Sequence, residues 1–189
     1  MKYLVFVILL ACSSTSLTLS NKDLLPYKES SQLTKLNFEP AIALNITEVI
    51  DKREAKNFGF AYTGVQYTKT PIHFDQPLGL MTKNYLMDAL SLRGIRFLEE
   101  GATLQVEVKK FWVHEVIEKY QLEKAKCEMS LVFHLDRGDK KWSGEYWTEF
   151  LSGGDLSDGT ERLAPTLASC MNEVIEKLIK DEKFINLLK

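Results

Sequence analysis

Two groups of polar residues are of the types that could hold a metal ion. His114 and Glu115 precede Glu118, but a metalloprotease helix carries a second histidine four residues after the first. Asp155 and Asp158 lie in a glycine-rich stretch whose spacing differs from an EF-hand and is typical of a loop that leads into a helix. We therefore predict no metal and no cofactor.

Three cysteines in 189 residues are too few for a disulfide scaffold. A catalytic cysteine needs a neighbouring base, whereas Cys127 and Cys170 lie on the apolar faces of a predicted strand and a predicted helix. The sequence favours two buried thiols in the core, and a disulfide between Cys127 and Cys170 is the alternative in an oxidising compartment. Because no hydrolase or nucleotide-binding motif occurs either, we predict that the protein is not an enzyme.

The first residues have the pattern of a secretory signal. Lys2 is followed by nine apolar residues, from Tyr3 to Ala11. A bilayer-spanning helix needs about 20 apolar residues, so this run is typical of a signal peptide rather than of a membrane span.

The end of that run, Leu9-Leu10-Ala11-Cys12, resembles the lipobox of bacterial lipoproteins. The resemblance implies cleavage before Cys12 and attachment of acyl chains to it; an ordinary signal peptide with a chance cysteine is the alternative. Two or three acyl chains form a stable membrane anchor. Ser13, in place of aspartate, implies sorting to the outer membrane.

With the lipobox resemblance, the sequence predicts a signal peptide at 1–11, a lipidated, serine-rich flexible tether at 12–37, and one periplasmic domain at 38–189. Leu24 to Tyr27 are expected to dock on that domain. A domain of about 150 residues buries roughly 68–70% of its unfolded surface and can fold alone. The formal net charge of -2 argues against binding to nucleic acid.

Alternating apolar residues predict a strand over 41–50, followed by an ion pair between Asp51 and Arg53. Residues 54–75 are consistent with a small hairpin or an irregular arm. A helix over 77–93 is expected to start with Pro77 at its first position, after a cap at Asp75 or Gln76, and to end at Gly94.

Three strands and a helix over about 160–180 follow, and Pro165 must lie near the first turn of that helix. The break in alternation at Phe111 to Val113 indicates a bulge. A polar connection is expected near 114–125, and Asp181 is expected to cap a short last helix.

The element order β-α-β-β-β-α implies a parallel strand pair across the first helix. We therefore predict an α+β fold: a two-layer sandwich of a mixed sheet with two helices packed on one face.

Strand parity places Trp147 on the side of the sheet opposite to Trp142 and Tyr146. An outward tryptophan is a candidate contact for a partner. Coverage of Trp147 by the tether or the arm is the favoured alternative.

Asp51-x-Arg53 is followed by three groups of regularly spaced apolar residues. These groups are Leu86, Ala89 and Leu90 on the first helix, Leu104, Val106 and Val108 on the next strand, and the tail from Val174 to Phe184. Over about 40–188 the chain resembles the YajG-like family of bacterial lipoproteins. The resemblance implies an accessory lipoprotein of the cell envelope and transfers no catalytic motif.

We expect a non-enzymatic binding module, lipid-anchored in the bacterial outer membrane and facing the periplasm, with an envelope protein of unknown identity as partner. The alternative is a carrier of a lipid or other small apolar ligand in a cavity between helices and sheet.

Overall fold

Eight strands and three helices make up the part of the chain that the computed structural model describes, namely residues 16–20, 24, 36, 42–63, 66–117, 123–152 and 159–189. In chain order they are β1 (Leu17–Leu19), β2 (Ala43–Asp51), β3 (Gly59–Thr63), β4 (Thr68–Phe74), α1 (Leu78–Ser91), β5 (Arg96–Phe97), β6 (Ala102–Ile117), β7 (Glu123–Arg137), β8 (Lys140–Leu151), α2 (Gly159–Lys180) and α3 (Glu182–Leu188). The structure confirms the α+β class.

The strands form one mixed sheet organised around β6. β2 pairs parallel with the first half of β6 and β3 pairs parallel with its second half, while β7 runs antiparallel along nearly its whole length. β8 extends the sheet beyond β7, β5 flanks β2, and β4 and β1 follow β3. The expected parallel pair across α1 is therefore confirmed as β2 and β6.

The predicted order β-α-β-β-β-α is incomplete. It lacks β1, β5, α3 and the β3–β4 hairpin, which is the regular form of the arm expected over 54–75. The expectation of a polar connection near 114–125 is wrong as well, because most of these residues are in strands: β6 continues to Ile117 and β7 begins at Glu123.

The predicted bulge lies between Val108 and Lys110, where the register of β6 against β7 shifts by one residue. Val108 and Phe111 are buried on the same side, while Lys109 and Lys110 are both exposed. The extra residue keeps the apolar residues of both halves of β6 on one face.

The core is one cluster of buried apolar side chains, to which that face and the helices contribute. α1 packs on β2, and α2 packs on β6, β7 and β8. The Tyr85 hydroxyl on α1 donates to the Ala168 carbonyl on α2 at 3.0 Å, which links the two helices. The two-layer arrangement with both helices on one face stays a prediction.

Helix α1 starts one residue later than expected. Pro77 is its N-cap and no side chain bonds to the helix end, so the expected cap at Asp75 or Gln76 is wrong. The expected stop at Gly94 is confirmed: Gly94 has a φ of +97°, and the Ile95 amide donates to the Leu90 carbonyl.

Helix α2 starts at Gly159, which places Pro165 in its second turn rather than in the expected first. Asp181 caps α3 as predicted, by accepting bonds from the Lys183 and Phe184 amides.

The predicted flexible tether over 12–37 is wrong at β1, because Leu17–Leu19 pair with Ile72–Phe74 of β4. Leu24 is 2% exposed, which confirms the expected docking at that residue. The signal segment 1–11, Cys12 and residues 25–27 lie outside the described residues, and the domain boundaries stay predictions.

The expected ion pair after β2 is confirmed. Arg53 donates to both carboxylate oxygens of Asp51, at 2.9 and 3.0 Å, and to the carbonyls of Lys56, Asn57 and Phe111. The Arg53 side chain is only 4% exposed. Its hydrogen bond to Asp51 is the main reason why the pKa of that carboxyl falls to about 2.

We predict that Asp51→Asn lowers the free energy of unfolding at pH 7 by about 2 kcal/mol, because a buried guanidinium loses its counter-charge. The pKa of Asp51 is lower in the folded chain than in the unfolded chain, so the pair stabilises the fold above about pH 4. That stabilisation is lost as the pH falls toward 2. Urea unfolding from pH 7 to pH 2 measures the difference between wild type and variant, which should shrink over that range. Glu54→Gln, at an exposed neighbour, is the control, and a difference between wild type and the Asp51→Asn variant that is independent of pH would contradict the prediction.

The structure joins Cys127 on β7 to Cys170 on α2 by a disulfide, in place of the two thiols that the sequence favours. The two Cα atoms are 6.4 Å apart, and both side chains are fully buried. The bond therefore fixes α2 against the centre of the sheet.

We predict that the Cys12→Ala chain, denatured without reductant, shows no free thiol in a thiol titration and shows two thiols after reduction.

Removal of the bond by the double change Cys127→Ala and Cys170→Ala should lower the free energy of unfolding by about 4 kcal/mol, the expected value for the loop that the bond closes between these residues. Detection of two thiols before reduction would show that the bond is absent.

Candidate binding surface

The sheet face turned away from α2 carries the exposed tryptophan; we call it the outer face. Alternate residues of β6, β7 and β8 form rows across it, and one row consists of Lys110, Ser130 and Trp147. Trp147 is 53% exposed, which confirms the outward orientation predicted from strand parity. The described parts of the tether and the arm leave it uncovered.

Trp147 lies on β8, which forms pairs with β7 alone among the described strands. Its carbonyl accepts a 2.7 Å bond from Lys177 Nζ of α2, and the same lysine pairs with Glu173. Next to the indole, Ser130 donates to Glu145 at 2.7 Å. The backbone that carries Trp147 is therefore held in place while its ring remains open to solvent.

A ladder of opposite charges crosses the adjoining rows. Lys126 contacts Glu149 at 2.8 Å and Glu128 at 3.3 Å, and Lys110 also pairs with Glu128. The bond from Lys110 is the main reason why the pKa of Glu128 is lowered, and the bond to Glu149 is the main cause of the raised pKa of Lys126. Glu128 and Lys126 therefore stay charged near neutral pH, and the ladder forms a fixed pattern of ion pairs next to Trp147.

A second feature of the outer face is a cluster of rings, the aromatic patch, at the junction of β3 and β6. It consists of Phe60, Tyr62, Trp112 and His114, and Lys69 Nζ lies 4.5 Å from the Phe60 ring centre. The Trp112 indole donates to His114 Nδ1 at 3.0 Å, and burial lowers the pKa of that imidazole. A neutral His114 suits this bond, because Nδ1 must act as the acceptor.

Comparison with known proteins decides the family. A family model described as "Uncharacterized lipoprotein" matches residues 36–189. The chain belongs to this lipoprotein family. The YajG-like resemblance is thereby confirmed.

Two solved structures are similar to the lipoprotein. A crystal structure of an uncharacterized protein has a TM-score of 0.50 at 17% identity, covering 92% of this chain and 97% of its own. A DUF330-family protein from Xanthomonas campestris has a TM-score of 0.47 at 11% identity, covering 79% and 85%. The first likeness shows a shared fold alone. No curated relative matches the chain.

The two candidate metal ligands of the lipoprotein that the structure describes point to opposite sides of β6. His114 lies on the outer face, whereas Glu115 points to the opposite side and accepts a bond from the Tyr62 amide. Within the described ranges no three His, Cys, Asp or Glu residues form a group that could hold a metal ion. Glu118, Asp155 and Asp158 lie outside those ranges.

Grooves open to solvent lie along the described part of the lipoprotein. One groove has a volume of about 680 Å³ at the far end of the outer face, with a mixed polar and apolar lining of Thr47, Thr103, Gln105, His134, Leu135, Asp136, Lys141, Trp142 and Ser143. A second groove, of about 530 Å³, lies beside the bulge and contains Lys52, Lys109 and Lys110. Neither of these two lies between helices and sheet. A smaller and mainly apolar groove of about 170 Å³ does lie between α1 and β2, where Met87 faces Leu44 and Ile46.

Of the predicted site residues, the structure brings together Cys127 and Cys170, places Trp147 on the outer face, and leaves Cys12 outside the described part. Sequence reasoning missed the aromatic patch. The signal was present, because alternation beyond the bulge places Trp112 and His114 on the same side.

Proposed function

We propose that this lipoprotein is anchored in the bacterial outer membrane by acyl chains on Cys12 and acts there as a non-enzymatic binding module that faces the periplasm. Its outer face binds an envelope protein partner. One observation carries the proposal: a half-exposed tryptophan, with its backbone held in place, lies among fixed charges on strands whose other side contacts α2.

The chemistry of the outer face suits a protein partner. Large aromatic side chains supply much of the binding energy of protein interfaces, and a rim of charges selects the partner and the orientation. Trp147 is such an anchor, and Lys126 with Glu128 and Glu149 is such a rim. The aromatic patch extends the same face toward β3.

The anchor is supported by the family and by the cysteine that ends the apolar run. Within the described residues no helix combines the length and apolar character that a membrane span needs. The binding module is preferred to the carrier, because the two larger grooves are open and lie away from the helices, and the apolar groove between α1 and β2 has a volume of only about 170 Å³.

We predict that Cys12→Ala prevents incorporation of labelled palmitate, because the thiol that accepts the acyl chain is gone. The protein should then leave the membrane fraction or remain unprocessed. Fractionation of cells that express the wild type or the Cys12→Ala variant measures this. The control is Cys170→Ala, which should still incorporate palmitate. Palmitate in the Cys12→Ala protein would contradict the anchor.

We predict that Trp147→Ala weakens partner binding by roughly tenfold, because it removes the largest exposed apolar side chain of the outer face. A photo-crosslinking residue in place of Glu145, one outer position away, should form an adduct of defined mass in intact cells. The Trp147→Ala change should reduce the yield of that adduct.

Leu80→Ala is the matched control for Trp147→Ala, because Leu80 is 49% exposed but lies on α1. It should leave the adduct unchanged. Equal yields from the wild type and the Trp147→Ala variant, or an adduct that forms only with abundant periplasmic proteins, would overturn the proposed contact surface.

A further inference from the structure

One end of the sheet collects the tips of several strands; we call it the hairpin end. Phe60 pairs with His114 in parallel register, so Thr63 and Ile117 lie at the same level, three residues further along their strands. Thr63 pairs with Thr68 at the start of β4. On the other side of β6, His114 is opposite Lys126, and Lys126 is opposite Leu151 at the end of β8.

Exposed apolar side chains concentrate at this end. Among the described residues seven large apolar or aromatic side chains are exposed, and four of them lie here: Tyr67, Ile117, Phe150 and Leu151. They belong to three separate segments of the chain. Large apolar groups gathered at one end of a folded domain indicate a contact with an apolar or amphipathic partner.

Strand β1 brings the start of the chain to the same region. Leu17 pairs with Ile72 and Leu19 with Phe74, in parallel register, and the Asp75 amide donates to the Leu19 carbonyl at 3.2 Å. Because β1 runs parallel to β4, Leu17 is the end of β1 that is nearer to Thr68 and the hairpin end.

The reach of the anchor is short. Cys12 precedes Leu17 by five residues, and a fully extended chain spans about 3.4 Å per residue, so Cys12 lies within about 17 Å of Leu17. Thr68 is four residues from Ile72 along β4, or about 13 Å. An acyl anchor on Cys12 is thus within reach of the hairpin end.

We infer that the hairpin end is a membrane-contact surface, and that its occupant is the headgroup layer of the bilayer that holds the acyl chains of Cys12. This rests on the proposed anchor and adds an orientation to it. Tyr67 places an aromatic ring with a hydroxyl at the membrane–water interface, where such rings are enriched. Ile117 and Leu151 reach the boundary between the headgroups and the acyl chains. Lys69 supplies a cation for lipid phosphates beside the same hairpin.

The test uses the mature lipidated protein in vesicles of phosphatidylethanolamine and phosphatidylglycerol. Tyr67→Cys supplies an accessible thiol for a bimane label, because Cys127 and Cys170 are bonded and buried. Lipids that carry a spin label near the headgroup quench a bimane at headgroup depth. The matched control is Lys140→Cys, an exposed position at the opposite end of β8.

We expect quenching at position 67 to exceed quenching at position 140 at least about threefold, since apolar groups at a membrane surface lie roughly 5–10 Å deep. A label at Ile117→Cys should respond like the label at 67, which guards against a local change in the hairpin. Ten glycine and serine residues inserted between Ser16 and Leu17 should lower quenching at 67, because the longer link lets the domain move away.

Equal quenching at 67 and 140 would overturn the inference, as would quenching at 67 that is unchanged by the insertion. Flotation of the labelled protein with the vesicles tests the anchor separately. Protein that does not float contradicts the lipid anchor of the proposed function. Protein that floats without selective quenching at 67 and 117 leaves the anchor in place and contradicts the membrane-contact surface alone.

Discussion

The structure depends on how one edge of β6 satisfies its backbone polar groups. β2 pairs with this edge up to the bulge, where the Lys52 amide donates to the Val108 carbonyl at 3.0 Å. β3 pairs with the same edge further along, beginning where the Val113 amide donates to the Phe58 carbonyl at 2.8 Å. Between these two partners the Phe111 carbonyl would lack a donor, and the Arg53 guanidinium supplies it. A single buried side chain thus completes the edge along which two parallel strands meet, and Asp51 neutralises its charge.

The bulge and the disulfide give the two faces of the sheet different roles. Without the extra residue between Val108 and Lys110, Phe111 and Val113 would point to solvent and Trp112 would point to the core. With it, one face is mainly apolar and accepts α2, which the bond between Cys127 and Cys170 fixes in place. The other face is left to Trp147, the charge ladder and the aromatic patch.

Local signals account for what could be predicted from the sequence. The altered parity around Trp112 predicts the bulge, the spacing of Asp51 and Arg53 predicts their pair, and Gly94 marks the end of α1. The outward position of Trp147 follows from alternation alone. What the sequence could not predict depends on distant partners: Leu17–Leu19 is too short to show a period, and it is a strand only because β4 lies beside it. The hairpin end combines side chains from strand tips far apart in the chain, so no window of sequence contains it.

The pairing of β1 with β4 also has a mechanical consequence. If the proposed anchor on Cys12 is pulled while the proposed partner holds the domain, the force enters at Leu17 and acts along the axis of β1. Hydrogen bonds in a strand pair loaded along its axis bear the force together, in shear, rather than opening one after another. The short strand would therefore act as a clamp that passes tension from the lipid to the sheet.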